Sequence, residues 1–534
     1  MGTHFQKECL PYGQTGKFTK IVTDYISGNQ QLKPFFGFDP TLDGIKKSIE
    51  KKKKRPVNRN LLVSQLLQQY SEIADSDFLK NRIKVLLKEN VFTVCTAHQP
   101  NIFTGHLYFI YKIIHAIKCC NYFSQHIPDC EFVPVFFMGS EDADLDELNH
   151  IWLEEEKYTW NTKQTGAVGK MFVDDNLIRL IQQLEGRLLA EPFGKTIADE
   201  LKACYVKNTS IEQATLKFVH HLFKDFGLVV LLPDNPAFKR VMAPVFKEDL
   251  FKHLPHKIVE DTSKKLDAVY KAQAYPRDIN LFYMKDDLRN RIVRKDDHFL
   301  VHDTDLVFSK EELEKELNDH PERFSPNVIL RGLFQEMILP DIAFIGGGGE
   351  LAYWLQLKDL FLHFQVPYPV LILRNSFLII ERKFLDLMEK LGLQNEDLFK
   401  SEEHLYQQKV KLQSENDLSL SNERDQMNQF FNGLLKKTTL VDKGLTDHIE
   451  ALKKKQMKSL DALEKKLLRS EKKKFTAIQN QIHRLLSALA PSNGLQERTE
   501  NFLIFYAKWG QQFLETVYEL SPALEAQFCI IKEK

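Results

Sequence analysis

Thr96 to Lys112, TAHQPNIFTGHLYFIYK, concentrates side chains that could do chemistry. His98, Gln99, Thr104, Gly105, His106, Tyr108 and Lys112 fall between a β-branched apolar run and a run with helical spacing. Unpaired N–H groups and the positive end of a helix dipole favour an anion at such a junction. A donor histidine at 106 would add a grip on phosphate or carboxylate oxygens, so the stretch reads as an anion cradle. The plain alternative is a histidine that only caps a helix.

A second set, Glu141, Asp142, Asp144 and Asp146, follows the next apolar run. Carboxylates there could hold an ammonium, a sugar or Mg²⁺, or take up a proton; otherwise they are a solvated loop. The third set is the glycine run containing Gly347 and Gly348, followed by Glu350 and Tyr353. Glycines admit close backbone approach to a ligand, although a tight turn uses them equally well. Asn327 and Arg331 stand upstream and Arg374 downstream, and a guanidinium can grip a carboxylate or phosphate at two points.

The elements that must position these groups read as α/β. Val91–Ala97 and Phe132–Gly139 are buried strands, and between them Ile110, Ile113, Ile114, Ile117 and Cys120 recur at helical spacing. Strand, crossover helix and strand argue for a parallel sheet covered on both faces. The grammar recurs at Gly227–Pro233, where Asn235 and Pro236 open a helix, and from Asp341 to Leu373, with one helix expected over 350–364. In an open parallel sheet, ligands bind beyond the carboxyl ends of the strands, and all three polar sets fall there.

The resulting division is a Rossmann-like core in three parts (1–145, 206–254, 325–382) with two connecting insertions, 146–205 and 255–324. The second insertion should carry a small antiparallel sheet and a capped helix at SKEELEKEL. A helical coiled-coil arm is expected over 383–510, followed by a tail, 511–534, packing back on the core. Gly444 to Leu489 lacks proline and predicts one helix of about 67 Å. Its antiparallel partner would come from 383–437.

Composition narrows the class. The chain has 534 residues, and Lys+Arg and Asp+Glu balance at 73 each, so no global field favours nucleic acid or an anionic membrane. No stretch reaches the roughly 18 apolar residues of a membrane span, and MGTHFQKECL has no apolar core of a secretory signal. Seven cysteines without a CxxC pair disfavour a disulfide framework or a cysteine zinc site, and no metal site is assigned. A reduced, cytoplasmic protein is expected. KKKKR at 51–55 reads as a solvated charge run. No GxxxxGK[ST], no GxGxxG after a strand and no GxSxG occurs. TGH at the first strand-to-helix junction is a short echo of the HxGH signature of nucleotidyl-transferring folds.

HQPNIFTGHLYFIYK, PVFFMGSEDAD, FSPNVILRGLFQEMILPDIAFIGGGGELAYWLQL, PVLILRNS and QERTENF, in this order, resemble the bacillithiol-biosynthesis cysteine-adding enzymes over nearly the whole chain. The family pattern reads GQQ-x-G-x-x-TGPLY, EDHD and GGPAE. Here His98 replaces the first glycine, His106 the proline, Ala143 the histidine, and Gly348-Gly349 the Pro-Ala pair. The resemblance implies a Rossmann-like core, two connecting insertions and a coiled-coil arm used for homodimerisation. It also implies amide formation between cysteine and the amine of glucosaminyl-malate, with ATP or ADP bound and Mg²⁺ arriving with the nucleotide. On that reading His106, Glu141, Asp142 and Asp144 are the catalytic candidates. Substrate or anion binding falls to His98, Gln99, Thr104, Gly105, Tyr108, Lys112, Asn327, Arg331, Gly347, Gly348, Glu350, Tyr353 and Arg374. Two other readings stay open: a nucleotide-binding or scaffold protein acting through its coiled coil, and a nucleotidyltransferase of other substrate.

Overall fold

The computed structural model describes residues 5–534; the first four, on which part of the secretory-signal reading rests, lie outside the described residues. Its central sheet has five parallel strands: β1 (Val91–His98), β2 (Glu131–Met138), β3 (Val229–Leu231), β4 (Asp341–Gly346) and β5 (Val370–Leu373). They lie in the order β5-β4-β1-β2-β3. Each is an apolar run because helices cover both faces, as a parallel sheet requires. The crossover between β1 and β2 is helix α1 (Tyr108–His126). Its Cys119 and Cys120 pack against Phe92, Val94, Ile342 and Val370, so these thiols are core residues.

The strand order reverses between β1 and β4. Succession runs outward through β2 and β3 on one side and through β5 on the other, which opens a crevice at the carboxyl ends of β1 and β4. Helices after the strands start as the sequence indicates. Asn235 accepts hydrogen bonds from the Ala237 and Phe238 amides, with Pro236 first in α2 (Pro236–Lys252). Asn327, read from the sequence only as a binding residue, also caps α3 (Val328–Ile338) through the Ile329 amide. The expected 350–364 helix is instead two, α4 (Gly348–Trp354) and a further turn at Lys358–His363.

The second insertion holds an antiparallel sheet that includes Leu281–Lys285, Leu288–Lys295 and His298–Val301. It also holds the capped helix Lys310–Asp319, where Ser309 and Glu312 form a capping box. Two compact units divide the chain, 1–379 with 495–534, and 380–494. The first unit resumes at Leu495, inside the 383–510 expected for the arm. Within the arm unit, Ser421–Val441 packs beside Thr446–Lys472. The single long helix is interrupted by a 3₁₀ turn at Lys473–Phe475 before Thr476–Leu489.

Two further expectations change. Phe5–Leu10 pairs antiparallel with Phe528–Glu533, which sets Cys9 opposite Cys529 and joins them in a disulfide. A pairing across 520 positions is invisible to a cysteine count. The run KKKKR is not wholly solvated, because Lys52 is 3% exposed and ion-paired with Glu336 at 3.0 Å. Glu336 neighbours Asp341, whose carboxyl is pushed up by burial and then by the Glu336 charge.

Lys52 thus neutralises a carboxylate in a nearly dry site, and removing one partner of such a pair is costly. Lys52→Met should lower the stability of the folded chain by about 3 kcal/mol, read as a lowered unfolding midpoint. An unchanged midpoint would show that the pair contributes nothing.

Candidate active site

A cavity of about 490 Å³ opens at the reversal point. β1 delivers Ala97, His98 and Gln99; α1 delivers Tyr108 and Lys112; the turn after β2 delivers Glu141 and Asp142. β4 and α4 bring Gly347, Gly348, Gly349, Glu350 and Tyr353; α3 brings Asn327 and Arg331; β5 brings Arg374. Sequence positions from 97 to 374 therefore meet in one hollow. Arg289 and Phe282, from the second insertion, and Arg498, from the returning chain, complete the lining.

The charges sort into paired and unpaired. Lys112, 3% exposed, forms an ion pair with Glu350 and donates to the Ala97 carbonyl at 2.7 Å. Burial alone would raise the Glu350 carboxyl, but the Lys112 ammonium and the Gly347 amide hold it below the usual range. Arg374, also 3% exposed, pairs with Glu497 at 2.8 Å. Glu141 pairs with Lys239, whose ammonium also donates to the Phe324 carbonyl at 2.7 Å.

Arg331 is different. It donates to the Tyr353 hydroxyl at 2.9 Å and to Gln335 Oε1 at 3.3 Å, and among the described residues no carboxylate forms an ion pair with it. Its guanidinium lies 5.8 Å from the Phe137 ring and 5.6 Å from the Phe344 ring, so it is held in place without being neutralised. Arg289 lies 4.1 Å from the Phe282 ring and only 3.7 Å from Asp142. For Arg331, an anionic ligand would supply the missing negative charge.

On the wall opposite in sign, Asp142 accepts a hydrogen bond from Gln99 Nε2 at 3.0 Å and stays partly exposed. His98 contacts the Gln99 carbonyl and the Tyr108 hydroxyl, each at 3.1 Å. Burial, followed by the Lys112 charge, lowers its pKa to about 3, so it is neutral near pH 7. Tyr108 is raised to about 12 by burial and remains a phenol.

The anion cradle at Thr104–His106 takes another form. Phe103, Thr104 and Gly105 all have positive φ, and a Cβ on Gly105 would stand 2.7 Å from Asn101 Cβ, so glycine is required. Four backbone amides of this kinked turn are spent internally. The Phe103 amide donates to the Tyr205 hydroxyl, the Thr104 amide to Asn101, the Gly105 amide to Ile102 and the Leu107 amide to Glu500. Thr104 is fully buried, and neither it nor Gly105 nor His106 lines the cavity. His106 Nδ1 faces the Thr499 carbonyl at 3.1 Å, and its ring lies behind Tyr108.

Asp144 is exposed and caps the short helix Leu145–Leu148 through the Glu147 amide, away from the cavity. Glu141 lines the cavity but is tied to Lys239. Of the proposed carboxylates, Asp142 is the one left facing the hollow without a full ion pair. Gly347 donates its amide to Glu350, so α4 caps itself. Sequence reasoning missed Lys239, Arg289 and Arg498. Arg498 lay in QERTENF, which had been singled out without a role. Among the described residues no group of three or more His, Cys, Asp or Glu could hold a metal ion.

Two family models cover the chain: the bacillithiol biosynthesis BshC N-terminal Rossmann-like domain over residues 5–375, and the BshC C-terminal coiled-coil domain over 377–533. The chain belongs to the bacillithiol biosynthesis BshC family. It is 36% identical to a Flavobacterium johnsoniae protein over 98% of this chain and 99% of that one. It is 36% identical to a Christiangramia forsetii protein over 98% of each. A Bacillus mycoides relative is 26% identical over 96% of this chain and 98% of its own. All three bear the name "Putative cysteine ligase BshC". BshC relatives thus span both units, so the Rossmann-like core and the coiled-coil arm are parts of one family architecture.

The depressed His98 value has a measurable consequence. Between about pH 3 and the ordinary 6.5 the unfolded chain binds a proton that the folded one refuses. Stability from this group is therefore complete above 6.5 and is lost as pH falls toward 3. His98→Gln should flatten the decline of the unfolding midpoint between pH 6.5 and 4. Equal slopes in the two proteins would clear His98 of that effect.

Proposed function

We propose that the chain is an amide-forming ligase that joins the carboxyl of cysteine to the amine of glucosaminyl-malate, the cysteine-adding step of bacillithiol synthesis. The observation that carries this reading is the cavity at the reversal point, lined both by Arg331, which has no ion pair among the described residues, and by Asp142. A substrate with an amine and carboxylates matches that pattern. Family membership and the name of the relatives support the same chemistry.

A free carboxylate does not acylate an amine at neutral pH, so ATP is the co-substrate. Cysteine's carboxylate attacks a phosphorus atom of ATP to give cysteinyl adenylate and pyrophosphate, or a cysteinyl phosphate and ADP. The amine then attacks the activated carbonyl, the C–N bond forms, and AMP or phosphate leaves. Mg²⁺ arrives with the nucleotide. Arg331 offsets negative charge on the departing group, while Asp142, oriented by Gln99, holds the amino sugar and accepts the proton lost by its nitrogen. Neutral His98 and phenolic Tyr108 offer hydrogen bonds without adding charge. The five free cysteines are buried, which fits a thiol entering as substrate rather than a protein nucleophile.

The enzyme works as a homodimer in the cytoplasm on this reading. Phe430, Leu440, Val441 and Leu463 of the arm are 61%, 88%, 84% and 47% exposed, and a second arm would cover them. No helix of the described residues is long and apolar enough to cross a membrane.

Thiol profiling in a bacillithiol-producing strain lacking its own gene provides the test. Deletion should abolish bacillithiol and accumulate glucosaminyl-malate, and this chain should restore the thiol. Arg331→Met should restore it at least about tenfold less well, the usual cost of one charged hydrogen-bonding group. Asp144→Ala should restore it fully, since Asp144 stands outside the cavity. Unchanged bacillithiol after deletion would defeat the ligase reading.

A further inference from the structure

The returning segment 496–501 is built almost wholly as a brace. Gln496 exchanges hydrogen bonds with the Ile379 backbone, accepting from its amide at 3.0 Å and donating to its carbonyl at 3.1 Å. Glu497 takes the Arg374 guanidinium, the Ser376 hydroxyl at 3.0 Å and the Phe377 amide at 3.2 Å. The Thr499 carbonyl meets His106, and the Glu500 carbonyl accepts the Leu107 amide at 2.7 Å. Asn501 donates to the Phe103 carbonyl at 3.0 Å and to the Gly105 carbonyl. Gln496, Glu497, Glu500 and Asn501 are buried; Arg498 is exposed and borders the cavity.

Arg498 is thus held by a backbone with little freedom, while its side chain has no role in holding the brace. Among the described residues none forms an ion pair with it. Its charge acts on Tyr108, whose hydroxyl meets His98, and the next residue, Gln99, holds Asp142. One wall therefore runs from a carboxylate at Asp142 to a guanidinium at Arg498. A small molecule that carries an amine at one end and a carboxylate at the other complements that polarity.

We infer that Arg498 is a specificity-determining residue that binds a malate carboxylate of the amine-bearing substrate, so that the returning segment selects the acceptor. This rests on the ligase reading and extends it. The guanidinium contributes a charge-assisted hydrogen bond to the acceptor, whereas the nucleotide phosphates meet Arg331. Glu497 is a positioning residue: by pairing with Arg374 it fixes the turn from which Arg498 projects.

Calorimetric titration of the full chain tests the inference without requiring turnover. Glucosaminyl-malate, its dimethyl ester and a non-hydrolysable ATP analogue are each titrated into wild type, Arg498→Gln and Arg498→Lys. Wild type should bind the diacid more tightly than the diester. Arg498→Gln should weaken the diacid about ten- to a hundredfold and erase that preference. Arg498→Lys should recover part of the loss, and the ATP analogue should bind all three proteins alike. Arg498 is exposed, so the variants should keep the wild-type unfolding midpoint, which makes a loss of binding readable. If wild type binds no glucosaminyl-malate, the ligase reading fails and the inference with it. If wild type binds it and Arg498→Gln retains the preference, or loses the ATP analogue instead, the inference alone is overturned.

Discussion

Arg374 cannot give up its proton, and with only 3% of its side chain exposed it cannot be hydrated. Glu497, itself fully buried, is the answer this fold supplies. A buried pair of this kind repays its desolvation only when both groups are well hydrogen-bonded. Here Ser376, the Phe377 amide and the Asn375 carbonyl complete the set. The consequence is topological. The carboxyl end of β5 and a segment that returns only after the whole helical arm must meet, or a charge is left stranded. The brace at 496–501, the kinked turn at 103–105 and the entry of Arg498 all depend on that meeting.

Charge accounting also separates structural from functional groups in the cavity. Lys112, Arg374 and Glu141 look like site residues by type, yet each is occupied by an internal partner and serves mainly to hold Glu350, the returning chain and Lys239 in place. Arg331 is held by hydrogen bonds and ring contacts and Arg498 by its backbone, and among the described residues neither forms an ion pair. Residue type proposes a role, and pairing decides whether the group is free to perform it. The same criterion separates Asp142, which faces the hollow, from Asp144, which is a helix cap.

The sheet was readable because a parallel strand buried on both faces must be an uninterrupted apolar run, and Val91–His98, Glu131–Met138 and Asp341–Gly346 are such runs. Helix starts at Asn235 and Ser309 were equally readable, since capping is a local bargain between one side chain and the next turn. What stayed hidden was long-range. Lys52 within KKKKR pairs with Glu336, Cys9 meets Cys529, and Lys239 reaches Glu141; none of these leaves a periodic trace. The kink at Phe103–Gly105 was hidden for a different reason. Donors that look free at a helix mouth had already been taken by Tyr205 and by the chain's own carbonyls, which no pattern of residue types reveals.

The changes from the family pattern fall inside this geometry. His98 stands where the pattern has glycine, and it fills space against Tyr108 and Phe109 while remaining neutral. It therefore reshapes the wall between Asp142 and Tyr108 without altering its charge. Ala143 removes a histidine from the turn after β2, and its amide donates to Asp142 Oδ1 at 2.8 Å. With that imidazole gone, Asp142 is held by the Ala143 amide, by Gln99 and by Arg289 at 3.7 Å. On the ligase reading, proton uptake then falls to a carboxylate held by two neutral donors and one guanidinium.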